Sequence, residues 1–388
     1  MVVKPMLRSN IFLNAHPDGC REFVRQQIEY VKAQPRVTGP KNVLVLGSSG
    51  SYGLASRIVA AFSAGASTIG VSFEKEAKGK RTATAGWYSE RAFSDAAKEA
   101  GLYASTFNGD AFSHETRQQV IEKIRSDLGT IDLLIYSLAS GVRIDPDSGE
   151  TYYSALKPIG RRYESVTIDT KTGELVPAAI EAAEDAEVAA TVKVMGGEDW
   201  ALWVNALREA GVLAPGAMTV AYSYIGPSVT APLYREGTIG EAKKHLEATA
   251  HDLDRQMQAH GGGRALVSVN KALVTRASMV IPAVPLYMAL LYRIMKDKSI
   301  HEGPIEQMQR MFADRLYGAD LQLDSEGRVR MDDWEMREDV QQAITSLWGK
   351  VTAESLPQVA DVAGFTQEFY QIHGFEFDSV DYEADVDV

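Results

Sequence analysis

The sequence is poor in cysteine and has no excess of positive charge. Cys20 is the only cysteine among 388 residues, which argues against a disulfide framework and a cluster of thiolate metal ligands. A reducing, cytoplasmic setting is therefore expected. Lys and Arg number 40 against 52 Asp and Glu, so the formal net charge is −12. General binding to nucleic acid or to an anionic membrane is not expected, because both attract a basic face.

Long hydrophobic runs are also missing. The one stretch that resembles a membrane span, Ala277–Tyr292, has sixteen residues between two arginines and is interrupted by Pro282 and Pro285. A helix needs about 20 residues to cross a bilayer, so this segment is predicted to be buried or to line a pocket. The first residues, MVVKPMLRSN, lack the apolar core and cleavage site of a signal peptide. Neither a membrane span nor a targeting segment is expected.

Short apolar runs alternate with helical stretches along most of the chain, which is typical of βαβ units and a parallel sheet. The predicted helices include Leu54–Ser63 and His114–Leu128, the second capped near Ser113. The predicted strands are Asn42–Leu46, Thr68–Phe73, Leu102–Phe107, Leu133–Ser137, Met218–Ser223 and Ala265–Val269. Several are apolar nearly throughout, as strands covered on both faces must be. The sequence predicts an α/β fold with a doubly wound parallel sheet, in one enlarged domain over residues 1–388.

Two regions depart from this alternation. Residues 141–216 are polar and rich in turns, with a predicted hairpin at Ser165–Val176 and a helix at Asp199–Ala210. We expect them to form an insertion over one end of the sheet, where ligands of such folds bind. Residues 320–388 form a C-terminal extension with an acidic tail, which is predicted to be a solvated end.

A glycine-rich loop follows the first predicted core strand. Its sequence, Gly47–Gly53, has the spacing G-x-x-G-x-x-G and leads into a helix. Glycines there permit a positive φ and a close approach to a pyrophosphate, which the free N–H groups of the helix can bind. A purely structural glycine-rich turn is the alternative.

Other strand ends carry further candidate cofactor contacts. Phe73 and Glu74 end the second strand, where a carboxylate can bind the adenosine ribose diol and repel a 2′-phosphate. The lysines and the arginine over residues 75–81 could instead accept that phosphate, but NADH is favoured over NADPH. Residues 108–111, with Asp110 and Ala111, are placed to contact the adenine. Residues 137–140, with Leu138 and Ala139, should approach the nicotinamide ribose.

Three polar residues near the fifth strand could carry the chemistry. Tyr234 precedes Lys243 by nine positions, and Thr238 with Glu241 predicts a capping box, so the helix should begin near Thr238. Tyr234 would then lie in the preceding loop and could fold back toward Lys243. An ammonium near a phenol stabilises tyrosinate, which suits proton donation or enolate stabilisation. A surface tyrosine followed by solvated lysines is an equally open alternative. Tyr224, at the end of the fifth strand, is either a substrate contact or a packed core residue.

At the level of motifs, the chain resembles the trans-2-enoyl-CoA reductases, in the family that also contains the large NADH-dependent enoyl-acyl-carrier-protein reductases. The matching stretches cover nearly the whole chain, and the Y-x8-K spacing of Tyr234 and Lys243 is distinctive for that family. The others are HPDGC at 16–20, VLGSSGSYGLASR at 45–57, GVSFEK at 70–75, GDAFS at 109–113, YSLASGVR at 136–143, VMGGEDW at 194–200, AYSYIGP at 221–227, VSVNKALVTRAS at 267–278 and HEG at 301–303. Residues 49–51 and 141–142 depart from the more usual residues.

The resemblance implies a Rossmann-like fold of the enlarged short-chain dehydrogenase type and an NADH-dependent reduction of trans-2-enoyl thioesters. Such a reaction belongs to fatty acid biosynthesis or acyl-CoA metabolism. It also implies that Tyr234 is the catalytic acid, that Lys243 binds the cofactor and that Tyr224 contacts the substrate. The expected cofactor-binding residues are Gly47, Ser48, Ser49, Gly50, Ser51, Tyr52, Phe73, Glu74, Asp110, Ala111, Leu138, Ala139, Lys243, Leu273, Val274 and Thr275. The expected substrate is a short-chain enoyl-CoA, with an acyl-carrier protein as a second carrier, and the chain is expected to be a monomer.

Rival functions remain open on the residues alone. A carbonyl reductase of the short-chain dehydrogenase type could use the same cofactor, and a non-catalytic NAD-binding regulator would not need Tyr234. A flavin-dependent reductase requires a second nucleotide-binding loop, and the sequence shows none.

Overall fold

The computed structural model describes residues 1–8, 11–169, 172–276, 278, 281 and 284–388. Its centre is a parallel sheet of seven strands in the order β13-β12-β11-β6-β3-β4-β5. These strands are β3 (Asn42–Leu46), β4 (Ser67–Ser72), β5 (Ala104–Asn108), β6 (Ile131–Tyr136), β11 (Leu213–Ser223), β12 (Arg264–Val269) and β13 (Val329–Arg330). Short strand pairs lie outside the sheet: β1 (Leu7–Arg8) with β2 (Ile11–Phe12), β7 (Val142–Ile144) with β8 (Thr151–Tyr153), and β9 (Tyr163–Ile168) with β10 (Leu175–Ile180).

Helices cover both faces of the central sheet. One face carries α1 (Pro17–Ala33), α2 (Ser51–Ile58, continued by a π-helical turn at Val59–Ser63), α3 (Ala85–Glu99) and α9 (Pro304–Arg310). The other carries α4 (His114–Asp127), α6 (Glu198–Glu209) and α7 (Thr238–Ala259). The order of the strands reverses between β3 and β6, so a crevice opens at the carboxyl ends of these two strands. The predicted α/β, doubly wound fold is confirmed.

The predicted elements differ from the structure mainly at their ends. All six predicted core strands are present, but β11 begins five residues earlier than predicted, at Leu213. Its register against β6 shifts between Leu213 and Met218, and Gly216 in this stretch has φ +73°. Because of this irregularity, the first residues of β11 do not show the alternation expected of a strand. Ser113 caps α4 as predicted, through a hydrogen bond from the Thr116 N–H to its hydroxyl. The seventh strand, β13, has only two residues and was not predicted.

The region 141–216 divides differently from the prediction. Its first part holds the two strand pairs β7–β8 and β9–β10 and helix α5 (Asp185–Met195), as expected for an insertion. The predicted hairpin turn includes residues 170 and 171, which lie outside the described residues. The second part, α6 and the start of β11, belongs to the central core, because Trp200 and Trp203 of α6 are fully buried against the sheet.

A third hydrophobic core joins the insertion, helix α8 (Val284–Asp297) and the C-terminal extension. The extension contributes α10 (Glu338–Leu347), α11 (Leu356–Val359) and α12 (Val362–Gln371). Residues 284–292 of α8 are all buried, which confirms burial for this part of the predicted apolar segment. Ala277, Met279, Val280, Pro282 and Ala283 of that segment lie outside the described residues.

The acidic tail packs against the N-terminal residues, whereas the sequence predicted a tail surrounded by solvent. The terminal ammonium of Met1 donates to the carbonyl of Val386 at 2.7 Å and lies 3.3 Å from Asp385. Lys4 pairs with Glu383, and Val3 packs with Phe375 and Val386. Apolar contacts and opposite charges therefore hold the two ends of the chain together.

Within the described residues, no helix combines the length and the apolarity that crossing a membrane requires.

Candidate active site

The glycine-rich loop lies in the crevice between β3 and β6. Gly47 has φ +82°, and a Cβ atom there would lie 2.2 Å from the Ser137 carbonyl oxygen at the end of β6. A Cβ at Gly53 would lie 2.0 Å from the Gly47 carbonyl oxygen. Both positions therefore require glycine, because backbone atoms cannot yield as a flexible side chain could. The loop can present its own backbone at close range to a bound phosphate.

Several side chains of this loop form hydrogen bonds within the protein. Ser48 is fully buried and donates to Glu90, which also forms a buried ion pair with Arg57 at 2.6 Å. The Tyr52 hydroxyl donates to the Lys271 carbonyl at 2.6 Å. Ser51, the first residue of α2, has φ +50°, a strained value for a residue with a side chain. The groups left for a diphosphate are the backbone N–H groups at the start of α2, where the helix dipole favours an anion.

Glu74 follows β4 and is engaged by two donors. Its Oε1 atom accepts from the Ser49 hydroxyl at 2.6 Å and from Arg276 Nη2 at 2.7 Å. Burial opposes ionisation, but Arg276 and these hydrogen bonds prevail and lower the pKa of the Glu74 carboxyl. Neighbouring Phe73 is 78% exposed, so its ring is free to pack on a ligand. The sequence analysis had not assigned a role to Arg276, which lies over 200 positions from Glu74.

The remaining predicted cofactor residues lie at other strand ends. Asp110 and Ala111 follow β5, where Asp110 accepts from the Phe112 N–H at 2.9 Å. Leu138 and Ala139 follow β6, and Ala139 is exposed. Residues 273–275 follow β12: Leu273 and Val274 are buried, and the Thr275 N–H donates to the Ser278 hydroxyl at 2.9 Å. All these segments lie at the carboxyl edge of the sheet.

The structure brings the predicted catalytic residues to the end of β11. Tyr234 lies in the loop before α7, as predicted, and its ring meets that of Tyr224 edge to face, with centroids 4.8 Å apart. Lys243 lies in α7, and its Nζ donates to the Tyr222 carbonyl at 3.2 Å. Neighbouring Lys244 points away and pairs with Glu241 at 2.6 Å. Among the described residues, the Tyr234 hydroxyl has no hydrogen-bond partner.

Helix α7 begins at Thr238, as predicted, but the predicted capping box is wrong. Gly237 is the N-cap residue and supplies no side-chain hydrogen bond. The Thr238 hydroxyl instead donates to the Ala155 carbonyl and accepts from the Lys157 N–H at 3.2 Å. The insertion supplies these partners, so a tertiary contact displaces the local cap.

Glu335 was missed by the sequence analysis, although it contacts the predicted site directly. It is fully buried, and its Oε1 accepts from the hydroxyls of Tyr224, at 2.9 Å, and Tyr287. Its Oε2 accepts from the Ala272 N–H at 2.7 Å. A glutamate more than 100 positions after Tyr224 gives no local signal, because only the tertiary fold brings the two together.

Burial sets the protonation states of the site. Burial, followed by the nearby Glu335 charge, raises the pKa of the Tyr234 hydroxyl above its ordinary value. The same causes raise the pKa of Tyr224. Burial lowers the pKa of the Lys243 ammonium to about 8. Tyr234 therefore keeps its proton at neutral pH, and Lys243 titrates near the physiological range.

The doubly wound sheet, the glycine loop at the strand reversal and a proton-bearing tyrosine at the next strand end define an NAD(P)-dependent reductase of the α/β class. Family comparisons narrow this class. The trans-2-enoyl-CoA reductase catalytic region matches residues 81–317, and the NAD(P)H binding domain of trans-2-enoyl-CoA reductase matches residues 2–79. The chain belongs to the trans-2-enoyl-CoA reductase family, and the predicted enzyme class and NADH dependence are confirmed.

Individual relatives agree over the full length. The enoyl-[acyl-carrier-protein] reductase [NADH] of Coxiella burnetii is 54% identical over 391 residues, covering 100% of this chain and 96% of that protein. The trans-2-enoyl-CoA reductase of Clostridium acetobutulicum, solved with NADH, superposes with a TM-score of 0.98 at 45% identity, covering 100% of this chain and 98% of that one. The Treponema denticola trans-2-enoyl-CoA reductase, solved with NAD, gives a TM-score of 0.95 at 53% identity, with coverage of 100% and 98%.

A further family match, the enoyl reductase FAD binding domain, covers residues 323–386, but this segment does not fit a flavin dinucleotide. Its four phenylalanines are all buried, so none of them offers a stacking surface: Phe365, Phe369, Phe375 and Phe377. Its three arginines are paired with aspartates of the same segment: Arg328 with Asp324, Arg330 with Asp332 and Arg337 with Asp339. It also lacks a glycine loop between a strand and a helix, which a dinucleotide diphosphate requires. No step is assigned to a flavin.

Proposed function

We propose that this chain uses Tyr234 as the acid in the NADH-dependent reduction of short-chain trans-2-enoyl thioesters. One contrast between two tyrosines supports this assignment. The Tyr224 hydroxyl is bound by Glu335 at 2.9 Å, whereas the Tyr234 hydroxyl has no partner among the described residues. An acid that must reach a substrate oxygen needs a free hydroxyl, so we assign Tyr234 as the proton donor. Tyr224 is assigned as a residue that contacts the acyl group of the substrate.

The residues at the crevice fit the cofactor. The backbone of Gly47–Tyr52 at the start of α2 would bind the diphosphate, and Glu74 with the exposed Phe73 would meet the adenosine. Asp110 and Ala111 would lie at the adenine, and Leu138, Ala139 and Lys243 at the nicotinamide ribose. The segment Leu273–Thr275 would meet the nicotinamide. These roles are supported by the positions of the residues at the carboxyl edge of the sheet, where such folds bind nucleotides.

The proposed mechanism assigns two tasks to the protein. When bound, NADH supplies the hydride that adds to the β-carbon of the substrate. Tyr234 donates its proton to the thioester oxygen, where negative charge develops, and an enol forms. The enol then takes a proton from solvent at the α-carbon and returns its hydroxyl proton to Tyr234, so the net addition is one hydride and one proton. The Lys243 ammonium stabilises the charge left on Tyr234. The insertion and α8 surround this site with apolar side chains, which exclude water and would receive the acyl chain.

We further propose that the chain acts as a monomeric single domain in the cytoplasm, with coenzyme A as the carrier. One sheet receives strands from residue 42 to residue 330, which supports a single catalytic unit. Cys20 is the only cysteine of the sequence, so the chain forms no internal disulfide framework, which suits a reducing compartment. An acyl-carrier protein is the second candidate for the carrier, because the Coxiella burnetii relative is named an enoyl-[acyl-carrier-protein] reductase.

The oxidation of NADH with crotonyl-CoA tests the reaction. We expect turnover, and with NADH deuterated at the transferred position we expect butyryl-CoA that carries one deuterium. The kcat/KM for crotonyl-CoA is expected to exceed that for the crotonyl carrier-protein thioester. Turnover with acetoacetyl-CoA but not with crotonyl-CoA would contradict the proposal and favour a carbonyl reductase.

Glu74→Gln is expected to shift the preference from NADH toward NADPH. The change removes the charge that repels a 2′-phosphate and releases Arg276 from its ion pair. We expect the ratio of kcat/KM for NADH to that for NADPH to fall by about tenfold or more, equivalent to about 1.4 kcal/mol. Glu76→Gln, an exposed neighbour, is the control and should leave the ratio unchanged. An unchanged ratio in Glu74→Gln itself would remove Glu74 from cofactor selection.

A further inference from the structure

Glu335 is a buried charge that the proposed mechanism does not use. It lies between β13 and α10 in the C-terminal extension, has no exposed surface, and its Oε atoms accept from three protein donors. Each donor belongs to a different element beside the acyl site: the end of β11, the segment after β12, and α8. A single carboxylate thus links three structural elements that surround the proposed acyl site.

The chemistry of the donors fixes the direction of the hydrogen bonds. A backbone N–H can only donate, so the Ala272 N–H makes Oε2 an acceptor. Burial raises the pKa of Glu335, but the Tyr287 and Ala272 hydrogen bonds and the Lys271 ammonium oppose it. In the structure Oε1 accepts both hydroxyl protons, so the Tyr224 proton points toward Glu335.

We propose that Glu335 is a positioning residue that acts through Tyr224. By accepting the Tyr224 proton, it fixes the ring that packs edge to face on Tyr234 and leaves Tyr234 as the only one of the two tyrosines able to donate to the thioester oxygen. This inference rests on the proposed function, since it concerns the placement of that acid.

The surroundings of Tyr224 support a fixed ring. A Cβ atom at Gly226, which has φ +75°, would lie 2.9 Å from Tyr224 Cε1 and 3.0 Å from its hydroxyl oxygen. The ring therefore packs closely against the backbone at Gly226 and against the Tyr234 ring, with centroids 4.8 Å apart. The Tyr224 hydroxyl donates to Glu335 at 2.9 Å and also lies beside the Tyr287 hydroxyl.

A double-mutant cycle of Glu335→Gln with Tyr224→Phe tests the proposal in the full-length enzyme. We expect Glu335→Gln alone to lower kcat with crotonyl-CoA by about tenfold. The KM for NADH should stay within about twofold, because the glutamine oxygen can still accept from the Ala272 N–H that precedes the nicotinamide segment. In the Tyr224→Phe background, where no hydroxyl is left to hold, Glu335→Gln should change kcat by less than about twofold. An equal loss of kcat in both backgrounds would overturn the proposal and leave Glu335 a scaffold residue.

Asp333→Asn is the matched control, since Asp333 is a carboxylate in the same loop that pairs with Arg310 and Arg315. It should leave kcat unchanged. If Glu335→Gln does not fold, Tyr287→Phe is the second variant, because it removes another hydroxyl donor to Glu335 and keeps the Tyr224–Glu335 hydrogen bond. Its kcat should stay within about twofold of the parent, and a loss as large as that of Tyr224→Phe would overturn the proposal. The parent enzyme is measured alongside these variants. If it does not turn over crotonyl-CoA, the proposed function fails, whereas a failure of the role of Glu335 alone leaves the turnover of the parent intact.

Discussion

Replacement of Tyr234 by phenylalanine is expected to lower kcat with crotonyl-CoA by about 10²- to 10⁴-fold, the usual contribution of a positioned acid. The change removes one oxygen from a ring that otherwise keeps its contact with Tyr224, 4.8 Å between centroids. The KM for NADH should stay within about twofold, because the phosphate loop contacts neither ring. Steady-state NADH oxidation over a range of crotonyl-CoA concentrations gives both constants.

Tyr224→Phe is the informative comparison for this result. Its hydroxyl is committed to Glu335, so its loss should cost only about tenfold in kcat, the equivalent of one hydrogen bond of about 1.4 kcal/mol. If Tyr234→Phe retains most of the turnover while Tyr224→Phe abolishes it, the assignment of the two tyrosines is reversed. The enzyme would still be an enoyl reductase, with Tyr224 as its acid.

Most of the candidate site residues that the sequence predicts share one property, because they follow a recognisable strand. Gly47, Glu74 and Tyr224 all stand just after an apolar run, and parallel strands bring their carboxyl ends to one edge of a sheet. Periodicity therefore placed them in the crevice without any tertiary information. Tyr234 lies in a loop, and its position followed from the helix start at Thr238 and from the family resemblance rather than from periodicity.

The residues that were missed act across the fold. Glu335 and Arg276 reach Tyr224 and Glu74 over more than 100 and 200 positions, and neither stands in a local pattern that predicts its partner. The wrong capping box has the same origin, since Thr238 satisfies every local rule and yet bonds to Ala155 of the insertion. Local sequence predicts which backbone groups a side chain can reach, and packing decides which of them it uses.

Replacement of Lys243 by methionine is expected to lower kcat/KM for NADH by about 100-fold or more, since the change removes the cation that we propose binds the ribose and stabilises the charge on Tyr234. Methionine keeps the length of the apolar stem, so the packing of α7 against its neighbours should be preserved. Lys244→Met is the control, because Lys244 is exposed and pairs with Glu241 on the same helix. Equal kinetics for the two variants would remove Lys243 from the site.

The pH dependence of the parent enzyme adds a second signature of Lys243. Burial lowers the pKa of its ammonium to about 8 from the ordinary 10.5, so the charged form that the mechanism needs is lost as the pH rises through about 8. We therefore expect kcat/KM for NADH to fall above that pH, and Lys243→Met to lack this limb.

The pH dependence of stability has the opposite sign. Between these two pKa values the unfolded state binds more protons than the native state, so the Lys243 contribution to the free energy of unfolding rises with pH. Urea denaturation across this window should show the rise in the parent and not in Lys243→Met. A kinetic limb that persists in the variant would assign the titration to another group.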